Sequence, residues 1–261
     1  MMNKEEFIQL LQDKKYKAAQ NILSEMNDMD TAAFLEELDA KECALAFRLI
    51  SKEKAADVFS CMSSKMQTYL VDMFSETELK ELLEDLYMDD TVDMLEDLPA
   101  NLVTRILKNL DSTKRSTINK LLNYPEDSAG SIMTTEYVTL KKTMTVKQAM
   151  NHIKDIGIHK ETIYTCYVTE NKKLIGIVTA KSLMTSDDNE NITNLMNTNI
   201  ISVHTHTDQE QVAHLFRKYD LIAMPVLDSD GCLVGIVTFD DAMDVMVDET
   251  NEDISRMAAM E

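Results

Sequence analysis

The side chains in this sequence best placed to do chemistry are carboxylates. Between Asp72 and Asp97 lie eleven of them (Asp72, Glu76, Glu78, Glu81, Glu84, Asp85, Asp89, Asp90, Asp93, Glu96 and Asp97) against one base, Lys80. Between Tyr219 and Ser255 lie ten more (Asp220, Asp228, Asp230, Asp240, Asp241, Asp244, Asp248, Glu249, Glu252 and Asp253) with no Lys or Arg. A run of charge on a helix usually does no more than solvate it. Two such surfaces on different domains are another matter, because bringing them together costs Coulomb repulsion unless a cation sits between them. Asp241 and Asp244 stand one helical turn apart, as do Asp89 or Asp90 and Asp93, so each pair presents two carboxylates on one face. Magnesium suits such a surface, since it takes oxygen ligands, keeps several waters and needs only one or two carboxylates per ion.

The whole chain shares this bias. Its 261 residues carry 26 Lys and Arg against 46 Asp and Glu, a net charge of −20. That excludes a phosphate-backbone partner, which requires concentrated positive charge, so no nucleic acid is expected. The longest strongly apolar stretches, such as Leu174 to Val178 and Leu233 to Val237, fall far short of the roughly 20 residues of a membrane-crossing helix. The N-terminus lacks the basic start and apolar core of a secretion signal. Cys43, Cys61, Cys166 and Cys232 are too scattered for a metal knot or a disulfide framework, which fits a reducing, cytosolic setting.

The elements that must position these acids can be read from glycine and from periodicity. The five glycines are Gly130, Gly157, Gly176, Gly231 and Gly235, so the first 129 residues contain none. That half is helical in composition. Within it apolar residues recur every twelve positions, at Leu38, Ile50, Met62, Phe74, Leu86, Leu98, Leu110 and Leu122. An apolar pair or near-pair three or four residues earlier, such as Phe34-Leu35 or Leu82-Leu83, completes one helical face. Asp39, Ser51, Ser63, Ser75, Pro99 and Asp111 follow the anchors, mostly as cap residues, and Ser75 to Glu78 has capping-box spacing. Helices this short are unstable alone and must stack into a superhelical solenoid.

After residue 130 strands begin, and a second repeat with them. Ile132-Met133-Thr134 aligns with Leu195-Met196-Asn197, and Gly176-Ile177-Val178-Thr179 aligns with Gly235-Ile236-Val237-Thr238. The first copy carries four extra residues around His159 to Tyr164. Each copy predicts a strand, a helix (Val146 to Ile156; Gln209 to Tyr219), two strands around a turn, and a helix starting near Ala180 or Asp240. The turn Asp228-Ser229-Asp230-Gly231 has hairpin chemistry.

An apolar strand ending Gly235-Ile236-Val237-Thr238, followed by a short helix with Asp241, resembles the hallmark of a CBS domain. Together with the acidic helical half and the joining segment Tyr124-Pro125-Glu126-Asp127-Ser128-Ala129-Gly130-Ser131-Ile132-Met133-Thr134, the whole chain is similar to the cytosolic region of MgtE-type magnesium transporters. The expected fold is α plus α/β: an acidic helical solenoid over 1–123, a linker over 124–131, CBS domains over 132–190 and 191–250, and the start of a connecting helix over 251–261. The resemblance implies a regulatory region on the cytoplasmic side of the cell membrane that senses magnesium. A membrane pore domain of the same protein, absent from this chain, and homodimerisation through the CBS domains are implied with it. On the CBS side the positions matching the family's magnesium-sensing acids are Asp220, Asp241, Asp244, Glu249, Glu252 and Asp253; on the solenoid side they are Asp89, Asp90 and Asp93.

CBS pairs also commonly bind adenine nucleotides such as ATP. The resemblance gives Thr238 and Asp241 that role, with Thr179 in the first copy, where Ser182 replaces the expected Asp and weakens the site. His204 and His206, two ligands without a third, make a poor transition-metal pair. The 19 methionines fall largely at apolar-periodic positions and read as core. With no phosphate loop, nucleophile elbow or His-Glu-x-x-His run, catalysis is not expected.

Overall fold

The computed structural model describes residues 3–258, without the side chains at 252, 253, 256 and 258. The chain folds as two compact units, one of Met1–Leu86 with Asp90–Asn119 and one of Tyr87–Asp89 with Lys120–Glu261. Among the described residues ten helices come first: α1 (Lys4–Gln12), α2 (Tyr16–Glu25), α3 (Asp28–Glu36), α4 (Ala40–Phe47), α5 (Lys52–Ser60), α6 (Ser64–Met73), α7 (Glu76–Asp85), α8 (Met88–Asp97), α9 (Ala100–Asn109) and α10 (Ser112–Leu121).

The twelve-residue period becomes a stack in which α3, α5, α7 and α9 pack in succession and α4 packs on α6. Of the anchors, Leu38, Met62, Phe74, Leu86, Leu98 and Leu110 are buried, whereas Ile50 and Leu122 are half-buried. The capping box at Ser75 and Glu78 forms in both directions, and Asp39 and Asp111 accept from the first-turn amides of α4 and α10. Ser51 and Ser63 occupy cap positions without a side-chain cap bond; the Ser63 amide donates instead to Glu36 Oε1, at 2.6 Å.

Three cations of this unit reach helix ends. Lys54 donates to the carbonyls of Leu23 and Met26 at the end of α2. Arg105 donates to those of Val71 and Phe74 at the end of α6, and Lys114 to those of Leu83 and Glu84 in the last turn of α7, both at 3.0 Å. A cation at a helix C-terminus meets the negative end of the dipole and satisfies carbonyls that the helix itself leaves open. These contacts join residues about thirty positions apart, so they tie repeats together.

The second unit holds two copies of one motif. The first runs β1 (Val138–Lys141), α11 (Val146–Ile156), β2 (Thr165–Glu170), β3 (Lys173–Thr179) and α12 (Ala180–Thr185); the second runs β4 (Val203–His204), α13 (Gln209–Tyr219), β5 (Ala223–Leu227), β6 (Leu233–Thr238) and α14 (Phe239–Ala258). Each sheet has three strands in sequence order, the first pair parallel and the second antiparallel. Alternation along β2 sends Cys166 and Val168 into the core of the first copy, while Tyr167 enters an apolar cluster with Ala223, Leu233 and Ile236 of the second. The entry segments are exchanged: Thr134 bridges to Ile236, and Asn197 to Ile177. Glycine is required where they cross. A Cβ on Gly235 would stand 2.4 Å from Met133 Sδ and 3.0 Å from the Thr134 carbonyl, and one on Gly176 would stand 2.8 Å from Met196 Sδ. Among the described residues, no helix is long and apolar enough to cross a membrane.

Candidate cation site

Three carboxylates of the second unit converge. Asp89, Glu136 and Glu161 each offer one oxygen, and these oxygens all lie within 4.8 Å of one another. Asp89 is buried, at 8% exposure, and the two glutamates are half-buried. Glu136 organises the group. It leaves the Thr134–Ile236 bridge with its amide on Thr134 Oγ1, at 3.3 Å. Its Oε2 accepts from the Met88 amide at 3.1 Å, and its carbonyl accepts from the Glu161 amide at 2.8 Å. One residue thus fixes both the backbone beside Asp89 and the backbone of Glu161.

Oxygens around a magnesium ion at about 2.1 Å stand roughly 3–4 Å apart. Three carboxylate oxygens within 4.8 Å of one another form a group that could hold an oxygen-ligated divalent cation. Histidine and cysteine take no part, which disfavours a softer transition metal. Among the described residues this is the group of three His, Cys, Asp or Glu side chains whose ligand atoms come this close.

Asp241 belongs to the same electrostatic neighbourhood. Its carboxylate sits at the start of α14, where Oδ2 accepts from the Thr238 hydroxyl and, at 3.4 Å, from the Thr238 amide. Burial pushes its pKa up to about 7, and the negative charges of Asp89 and then Asp240 push the same way, against the Thr238 bonds. Asp244, on the same helix face, is also raised, first by burial and then by Asp240 and Asp248. A cation near Asp89 and Asp241 would relieve this mutual repulsion.

The remaining expected ligands stand elsewhere. Asp90 is half-buried and Asp93 exposed on the part of α8 that belongs to the first unit; there the charges of Asp28, Asp90 and Asp57 add to the burial that raises the Cys61 thiol. Asp220 is exposed and caps α13 in the left-handed conformation, φ 50°. Glu249 accepts from Gln209 Nε2 at 3.3 Å, and the same nitrogen reaches Asp127. The side chains of Glu252 and Asp253 lie outside the described residues. Thr179, exposed, caps α12 with its hydroxyl 2.8 Å from that of the half-buried Ser182. His204 and His206 do not pair: the first contacts the Asp228 carbonyl and the second the Thr205 hydroxyl.

Glu136 and Glu161 escape a reading by spacing, because neither has a carboxylate one turn away. The available signal is the insertion: Glu161 lies among the extra residues that distinguish the first copy from the second.

Comparison with known proteins bears on the whole arrangement. Residues 26–127 match the MgtE intracellular N domain, and residues 129–188 and 192–248 each match the CBS domain. The magnesium transporter MgtE of Thermus thermophilus is 35% identical over 256 residues, covering 96% of this chain and 57% of that protein. That of Bacillus subtilis is 31% identical, covering 96% and 56%. The chain therefore spans a little over half the length of these curated relatives. Among solved structures, the cytosolic domain of the Mg2+ channel MgtE in complex with ATP superposes with a TM-score of 0.87 at 34% identity, covering 93% of this chain and all of that one. The soluble part of a magnesium transporter gives 0.86 at 31%, covering 95% and 99%. The relatives matched over nearly all of this chain are magnesium transporters or parts of them, and not enzymes. With a helical repeat, two CBS copies and this order of domains matched end to end, the chain belongs to the MgtE family, as its intracellular N domain and CBS pair.

Proposed function

We propose that this chain is the magnesium-sensing regulatory region of a magnesium transporter or channel, working on the cytoplasmic side of the membrane and coupled to a pore domain of the same protein. In this reading Mg2+ binds among the acids of the helical and CBS parts, discharges their repulsion and favours a compact, closed state; at low magnesium the repulsion returns. The response is a population shift, so it requires tighter binding to the compact state than to the open one. The observation that carries the reading is the convergence of Asp89, Glu136 and Glu161 within 4.8 Å, beside an Asp241 that already feels the charge of Asp89.

The test is thermal unfolding and small-angle scattering across MgCl2, with KCl at matched ionic strength to remove general screening. Saturating magnesium at a hundred times the dissociation constant should stabilise by about 2.7 kcal/mol. Asp89→Asn should shift the half-saturating concentration at least tenfold. Equal responses to MgCl2 and KCl, or an unchanged midpoint in Asp89→Asn, would remove the reading.

A second reading, an adenine-nucleotide site, is favoured by the ATP complex of the 34% identical relative. Thr179, Thr238 and Asp241 are its candidates here. The Asp241 carboxylate is bonded to Thr238 and the Thr179 hydroxyl to that of Ser182, with Thr179 exposed. ATP titration of the wild type against Thr179→Ala and Asp241→Ala decides it, and the absence of saturable binding would end it.

Pairing of two copies through the CBS domains forms part of the same proposal. Ile158, Tyr164 and Met184 stand exposed on the first copy, and Ile222, Phe239 and Met243 on the second. Ile222, Phe239 and Met243 line one groove, and exposed apolar groups that are contiguous mark contact surfaces. Sedimentation should show a dimer that Met184→Glu with Met243→Glu dissociates; a wild type that is monomeric at every concentration would refute it.

A further inference from the structure

We draw no further inference here: the strongest candidate, the apolar groove between α13 and α14 lined by Phe216, Ile222, Phe239 and Met243, belongs to the face already proposed for pairing with a second copy, and nothing in the structure shows another occupant.

Discussion

The two CBS copies share a scaffold and differ in where they place charge. Both end their last strand on a threonine that begins a helix, and in both the side chain three residues on bonds that threonine: Ser182 to Thr179 in the first, Asp241 to Thr238 in the second. In the first copy the pair is neutral, with Thr179 exposed and Ser182 half-buried. In the second it is a half-buried carboxylate with its pKa raised to about 7. The region ahead of the middle strand differs in the opposite sense. Residues 157–164 of the first copy bring Glu161 to Asp89 and Glu136, while residues 220–222 of the second carry the exposed Asp220 straight into β5. Duplication supplied two equivalent frames, and the acids around Asp89 are drawn from non-equivalent positions of the two.

The largest effect expected from this difference is on pH dependence. A carboxyl whose folded pKa lies above its ordinary value of 3.8 is held more readily neutral in the native state, so the native state binds the extra proton. Without divalent cations, stability should therefore fall as pH rises from about 4 through about 7, and level off above. The loss attributable to Asp241 is on the order of 4 kcal/mol, at about 1.4 kcal/mol per unit. Asp241→Ser, which writes the first copy's cap into the second, should flatten this part of the profile and stabilise the protein above pH 7. Urea unfolding at pH 5 and pH 8 in the presence of a chelator measures it, and an identical slope in the variant would show that the raised pKa has no energetic consequence.

The exchanged entry segments offer a comparison through packing. At Gly235 an added methyl meets the buried Met133 and the fixed carbonyl of Thr134, whereas at Gly176 it meets the half-buried Met196, whose side chain can yield. Gly235→Ala should cost about 2–3 kcal/mol and Gly176→Ala nearer 1 kcal/mol, in line with overpacking in other cores. Chemical denaturation of the two variants would expose a wrong ranking directly.

Glu161 and Asp220 test the site itself. Glu161→Gln should weaken magnesium-dependent stabilisation several-fold, because it withdraws one of the three converging oxygens and leaves the backbone bond to Glu136 in place. Asp220→Asn, at the corresponding place in the second copy, should leave the magnesium midpoint within twofold. Equal effects of the two would mean that magnesium responds to total charge and not to this site.

How far these features were visible beforehand depended on the range of the interaction. The twelve-residue repeat, α11, α13 and the Ser75–Glu78 box were legible because each is decided within a few turns of chain, by periodicity and cap chemistry. The role of Ser63 was not, because Glu36, 27 residues earlier, takes its amide. The acid site lay further beyond local reading. Asp89 was identifiable among a run of acids, but Glu136 reaches Met88 across 48 residues and Glu161 arrives only through its backbone bond to Glu136. Spacing rules see carboxylates one turn apart; tertiary structure assembled this group from three that are not.

The smallest expected effect gives the sharpest control. Ser182→Asp places the second copy's residue in the first, at the start of α12, where a carboxylate would still face the Thr179 hydroxyl and the open amides of the first turn. Those groups favour the charged form, and solvent reaches the position. The new acid should titrate at or below the ordinary range and change stability at pH 7 by no more than about 0.5 kcal/mol. The double variant Asp241→Ser, Ser182→Asp keeps the composition and moves the carboxyl, so its unfolding profile should follow Asp241→Ser alone. Recovery of the wild-type pH slope in the double variant would place the origin of the raised pKa in the strand–threonine–helix motif, and would remove burial and the neighbouring Asp89 as its cause.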